Sequence, residues 1–153
     1  MEFGSIEREI DVDAAPEIVY EVVSRPEHLR QWWPDDADYE LVPGTPGQIV
    51  FGMHGDGPSI VGFEVVDAQP PHTFSFRWTQ APGVAAEHGN SLLVTFELRP
   101  SGAGTRLKMT ETGFREMGWN AAVLEQQYNE HVHGWSFFLP RLAPYAESVS
   151  ISR

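Results

Sequence analysis

The chain has 153 residues, enough for one substantial core and too few for two ordinary domains. Apolar residues make up 41% of it and aromatics 12%, and no apolar run approaches the about twenty residues that span a bilayer, so a membrane-spanning helix is excluded. A formal charge of −12, from 22 acidic against 10 basic residues, repels phosphate backbones and anionic lipid, which argues against nucleic-acid and peripheral-membrane partners.

Met1 to Ser5 lack the basic and apolar regions of a signal peptide and read as a cloning scar. A single domain is expected over residues 6–148, with 149–153 as a tail. Ile6, Arg8, Ile10 and Val12 alternate with Glu7, Glu9, Asp11 and Asp13, the pattern of a half-buried strand. Pro16 suits the first turn of a helix, and Ile18, Val19, Val22 and Val23 recur at helical spacing. Pro26 ends that helix and opens another, in which Leu29, Trp32 and Trp33 fall at i, i+3 and i+4 before Pro34 stops the pattern. Adjacent positions on a short helix point apart, so one of the two tryptophans should face a cavity mouth while the other packs on the sheet or stays partly wet.

From Tyr39 to Glu111 the pattern changes to about six short β segments separated by glycine and proline, which implies an antiparallel meander. Phe74, Phe76 and Trp78 share one strand face; Leu92, Val94, Phe96 and Leu98 share the next, and Leu107 and Met109 continue the theme. The connection from Gln80 to Asn90 exceeds the needs of a hairpin and is either disordered or a gate. Beyond Gly113, Leu124, Tyr128, Val132, Trp135, Leu139 and Leu142 recur at steps of three and four, predicting a long helix from Ala121 to Ala146 that Pro140 kinks or restarts and Pro144 loosens. A curved antiparallel sheet of about seven strands, wrapped around a long C-terminal helix with two short helices after the first strand, is the α+β fold this order predicts.

Ala15 to Tyr20, the Pro-Glu-His-Leu-x-x-Trp-Trp of Pro26 to Trp33, the Pro-Pro before an aromatic strand at Pro70 to Trp78, Thr110 to Phe114, and the Gly-Trp-x-x-Phe-Leu of Gly134 to Leu139 occur in an order that resembles the START-like or SRPBCC superfamily. Within it the chain resembles homologues of the activator of the ninety-kilodalton heat-shock protein's ATPase. The resemblance implies a helix-grip fold whose cavity holds a hydrophobic ligand. It also brings a possible chaperone partner, and so a co-chaperone-like role, as an alternative. Residues Thr105 to Gly118 resemble small self-resistance proteins of antibiotic producers with this fold, and other fold relatives are cyclases.

The chain has no cysteine, hence no disulfide and no thiolate chemistry, and a cytoplasmic location is expected. Glu130, His131 and His133 crowd together, but histidines two apart on a helix diverge, so solvated polarity is expected there rather than metal. No nucleophile elbow, phosphate loop or cofactor motif is present. His54, Arg77, Tyr128 and His131 are available for acid–base work.

The aromatic set carries most of the functional expectation. Trp32, Trp33, Phe51, Phe63, Phe76, Trp78, Phe114, Tyr128 and Trp135, with Met53 and Met109 as adaptable walls, are expected to line a cavity for a lipid, polyketide or other polycyclic or acyl ligand. Each alone could equally be core. Arg8 and Glu111 lie on apolar strand faces; the resemblance makes their strands neighbours, so they either pair across the ladder as a polar ligand anchor or reach water separately at strand ends.

Overall fold

The alternation of Ile6 and its neighbours forms β1 (Ser5–Val12). Two proline-initiated helices follow, α1 (Pro16–Ser24) and α2 (Pro26–Trp32). Then come β2 (Asp36–Asp38), β3 (Pro46–Phe51), β4 (Ser59–Gln69), β5 (Thr73–Trp78), β6 (Leu92–Ser101) and β7 (Gly104–Thr112). A 3₁₀ turn at Arg115–Met117 leads into α3 (Ala121–Ile151). This computed structural model describes residues 2–52 and 57–153, so the expectations placed on Met53 and His54 fall outside the described residues.

The seven strands form one antiparallel sheet in the order β1-β7-β6-β5-β4-β3-β2. Only β1 leaves sequence order, crossing over to pair with β7, and this carries α1 and α2 across the sheet's inner face. That face is set by strict alternation: Leu92, Val94, Phe96 and Leu98 on β6, and Thr105, Leu107, Met109 and Glu111 on β7, are all buried. Phe63 of β4 and Phe76 of β5 stack with centroids 4.3 Å apart, and Tyr39 stacks on Phe63 at the same distance. Burying a Leu or Phe side chain contributes about 1.5–3 kcal/mol, so this apolar face dominates the fold's stability and obliges a helix to cover it.

α3 supplies the cover. Asn120 caps it, its side chain accepting from the Val123 amide at 2.9 Å, and Trp135, Leu139, Leu142 and Ala146 form its buried stripe. The N-terminal half leans outward, with Leu124, Tyr128 and Val132 only half-buried. Helix continues without interruption through Pro140 and Pro144 and on to Ile151, longer than the periodicity predicts and into the expected tail. Pro140, Pro144 and Ser136, whose carbonyl Pro140 leaves without a helical donor, are all exposed, so water meets the freed carbonyls and no restart is needed.

The segment between β5 and β6 folds onto the outer face of β4. The Gly62 amide donates to the Gln80 carbonyl at 2.8 Å, and the Gln80 side chain fills the space over Gly62 that any Cβ would occupy. Internal bonds from Asn90 to the Ala85 carbonyl and from the Glu87 amide to Asn90 brace its far end.

Tyr39 is buried and donates to the Ser24 carbonyl at 2.5 Å, tying the β2 end to α1. Burial, with a smaller contribution from Glu27, pushes its hydroxyl far above the ordinary tyrosine range. Its stabilising effect is therefore whole below pH about 10, where an unfolded tyrosine ionises, and is lost as pH rises beyond that toward the raised folded value. We expect unfolding free energy, measured by urea titration at stepped alkaline pH, to fall less steeply in Tyr39→Phe than in the parent.

Candidate functional site

Between the outward-leaning half of α3 and the β3–β5 end of the sheet lies a cleft of about 350 Å³. Trp33, Phe51, Val61, Trp78, Trp135 and Phe138 supply its apolar walls, and Ser59, Thr79, Glu130, His131 and Gly134 complete them. Trp33 reaches the cleft because the chain leaves the helix there: it caps α2 with φ −122° and ψ −93°, outside the helical region. Its indole packs against Trp78 at 4.9 Å and Trp135 at 5.1 Å. Trp32, still helical, turns into the core and donates its indole hydrogen to the Val22 carbonyl at 3.0 Å. The elbow thus gives its two tryptophans different surroundings, and both are dry, 0% and 5% exposed.

Beneath the cleft sits Glu111, with no exposed surface at all. Three donors converge on it. Oε2 accepts from the Trp78 indole at 2.7 Å, and Oε1 accepts from the Trp135 indole at 2.8 Å and faces Nδ1 of His131 at 3.0 Å. The His131 ring is itself held between Trp78 and Phe114, with centroids 5.1 and 5.3 Å away. A carboxylate fully enclosed by donors is the arrangement that makes its burial tolerable.

Arg8 is not among those donors, so of the two outcomes expected the pairing is not made, and Glu111 does not reach water either. In the β1–β7 register Arg8 stands opposite Met109, while Glu111 stands opposite Ile6. The Arg8 guanidinium turns to the Glu7 carbonyl at 2.7 Å in an exposed position, the outcome in which its long stem reaches water.

Of the residues singled out from the sequence, Trp33, Phe51, Trp78 and Trp135 line the cleft and Glu111 lies under it. Trp32, Phe63, Phe76, Met109 and Phe114 are fully buried core. Tyr128 packs on Phe3 and Phe114 and donates to the Ser5 carbonyl, away from the cleft. Ser59, Val61, Thr79, Gly134 and Phe138 were missed as site residues, His131 stood only among the acid–base candidates, and Glu130 only in the metal test. Helical spacing held a signal for two of these, since His131 and Phe138 fall at i−4 and i+3 from the predicted Trp135, on one face of α3.

A curved antiparallel sheet gripping a C-terminal helix, with an apolar cleft between the two, defines a helix-grip protein of the START-like class. Residues 13–147 match the family described as Activator of Hsp90 ATPase homolog 1-like protein, and the chain belongs to that family. Solved structures carry the same fold. A Mesorhizobium loti protein superposes with a TM-score of 0.74 at 21% identity, covering 94% of this chain and 97% of its own. The Aha1 dimer from Colwellia psychrerythraea gives 0.65 at 22% identity, covering 91% of this chain and 92% of that one. DynU16, from the dynemicin biosynthetic locus, gives 0.70 at 25% identity over 98% of this chain but only 49% of DynU16 itself. No curated protein matches the chain.

Replacing Glu111 by glutamine keeps the shape but turns an amide toward donors, leaving at least one buried N–H without an acceptor. We expect Glu111→Gln to lower stability by about 1–3 kcal/mol, read as a shift of the urea midpoint. Combined with Arg8→Met, the two effects should add to within about 0.5 kcal/mol, because the side chains share no partner.

Proposed function

We propose that this protein binds a hydrophobic small molecule, in the cytoplasm, in the cleft between α3 and the sheet. The observation that carries this reading is Gly134. A glycine inside a helix costs about 0.5–1 kcal/mol relative to alanine, and here a methyl group would meet no heavy atom of the described residues within 4 Å other than its chain neighbours and the backbone of its own helical turns. The core therefore does not need the glycine for packing. What its missing side chain preserves is open space beside Trp33, Trp135 and Phe138. A volume of about 350 Å³ lies at the small end of ligand pockets and suits a ring system of about two or three rings better than a long acyl chain. DynU16's place in a biosynthetic locus supports the same direction, toward a compact natural product, and with it a self-resistance role.

A second reading, modulation of a chaperone ATPase, follows the family description and the Aha1 relative. One surface feature favours it. Phe137, 64% exposed on α3 beside the cleft-lining Phe138, carries the Arg141 guanidinium 5.8 Å from its ring centroid, an aromatic and cationic pair free to meet a partner.

Because Trp33, Trp78 and Trp135 wall the cleft, an apolar aromatic ligand should quench tryptophan fluorescence saturably. Gly134→Ala should stabilise the fold by about 0.5–1 kcal/mol. Gly134→Trp should fill the cleft and weaken binding by about tenfold or more without lowering the melting temperature. Quenching that persists unchanged in Gly134→Trp would place the ligand elsewhere. Chaperone ATPase modulation that survives Gly134→Trp but is lost in Phe137→Ser would favour the second reading.

A further inference from the structure

Two groups on the cleft wall hold polar chemistry that the fold itself does not use. The first is Nε2 of His131. The Glu111 carboxylate accepts from two indoles, which can only donate, and as an acceptor it also takes the hydrogen of Nδ1. In the neutral imidazole this fixes the tautomer, with the hydrogen on Nδ1, and leaves Nε2, on the far side of the ring, with its lone pair. Nothing among the described residues bonds to it. Packing between Trp78 and Phe114 holds the ring in place, so Nε2 is an oriented acceptor.

The second is the Thr79 hydroxyl. It is buried and has no hydrogen-bond partner among the described residues, although Thr79 lines the cleft. Its backbone is held at φ 76°, a left-handed conformation that β-branched residues rarely adopt. A polar group left unsatisfied on a strained backbone costs stability, and such costs gather at sites that engage ligands.

From these two groups, and resting on the reading of the cleft as a binding site, we infer the ligand's chemical class: a flat aromatic compound bearing a phenol- or enol-type hydroxyl. The hydroxyl donates to Nε2 of His131, the ring system lies against the aromatic wall, and a second oxygen on the ligand meets the Thr79 hydroxyl, which can donate or accept. A donor is required because the free imidazole position is a lone pair; an ether or a plain hydrocarbon cannot satisfy it. A ligand carboxylate is disfavoured, because Glu130 lines the same cleft and Glu111 lies behind the imidazole.

The test uses the whole chain and three probes of nearly equal size: β-naphthol, its methyl ether, and naphthalene. In calorimetric titration β-naphthol should bind at least about tenfold more tightly than the ether, since a site built to receive a hydroxyl discriminates against the analogue lacking it. In His131→Phe the preference for β-naphthol over the ether should vanish, read as the ratio of the two affinities within the variant. Independently of any variant, the His131 Nε2 chemical shift in nitrogen NMR should move on adding β-naphthol and stay still with the ether, which decides the matter even if His131→Phe does not fold. Saturable binding of all three probes with equal affinity and no Nε2 shift would overturn the hydroxyl-recognition inference and leave the binding function standing. No binding of any probe would overturn the cleft reading and this inference with it.

Discussion

A carboxylate with no exposed surface on an otherwise apolar sheet face imposes a demand that the rest of the structure has to meet. Left without donors, Glu111 would cost several kcal/mol, on the order of a large share of a domain's net stability. Its three partners come from different places: Trp78 from β5, two strands away across β6, and His131 and Trp135 from α3. Meeting the demand therefore sets both the rotation and the height of α3 over the sheet. Hydrophobic burial alone is non-directional and would tolerate the helix sliding or rolling; hydrogen bonds of 2.7 to 3.0 Å tolerate neither.

The cleft follows from that seating. With α3 anchored through Trp135 and His131, its C-terminal stripe of Leu139, Leu142 and Ala146 sinks into the core, while the half before Trp135 lifts away from the β3–β5 end. Gly134 leaves the gap unfilled, and Trp33, released from α2 by its non-helical backbone, closes one wall. Each of these choices gives up stability that a more ordinary residue or conformation would have kept. Three such concessions, at Gly134, Trp33 and Thr79, meet at one concavity.

The polar and apolar parts of the site are also one unit. Trp78 and Trp135 present ring surface to the cleft and spend their only polar atoms on Glu111, so the carboxylate fixes the orientation of the walls as well as the imidazole. A ligand in this cleft would meet surfaces already held in place, which reduces the ordering cost of binding. Phe51 and Phe138, by contrast, are only partly buried and form the adaptable rim.

Much of this architecture was legible in the amino-acid sequence, because strand alternation and helical spacing depend only on neighbours along the chain. Ile6 to Val12 announced β1, Pro16 and Pro26 the two helix starts, and Leu124 to Leu142 the long helix; the aromatic wall positions Trp33, Phe51, Trp78 and Trp135 could be named as candidates. Periodicity assigns a residue to a face, however, and not to the residue across from it. Arg8 and Glu111 share adjoining strands, yet a register offset of two sends one to water and encloses the other between indoles from β5 and α3. Phe63, Phe76 and Phe114 have the same aromatic character as the cleft residues and are plain core, since only the seating of α3 decides which ring borders empty space. Gly134 opened a motif of the resemblance, but neither it nor Thr79 carried a local signal of a site role: one matters for the side chain it does not have and the other for a hydroxyl left without a partner, and both properties exist only once distant parts of the chain have packed.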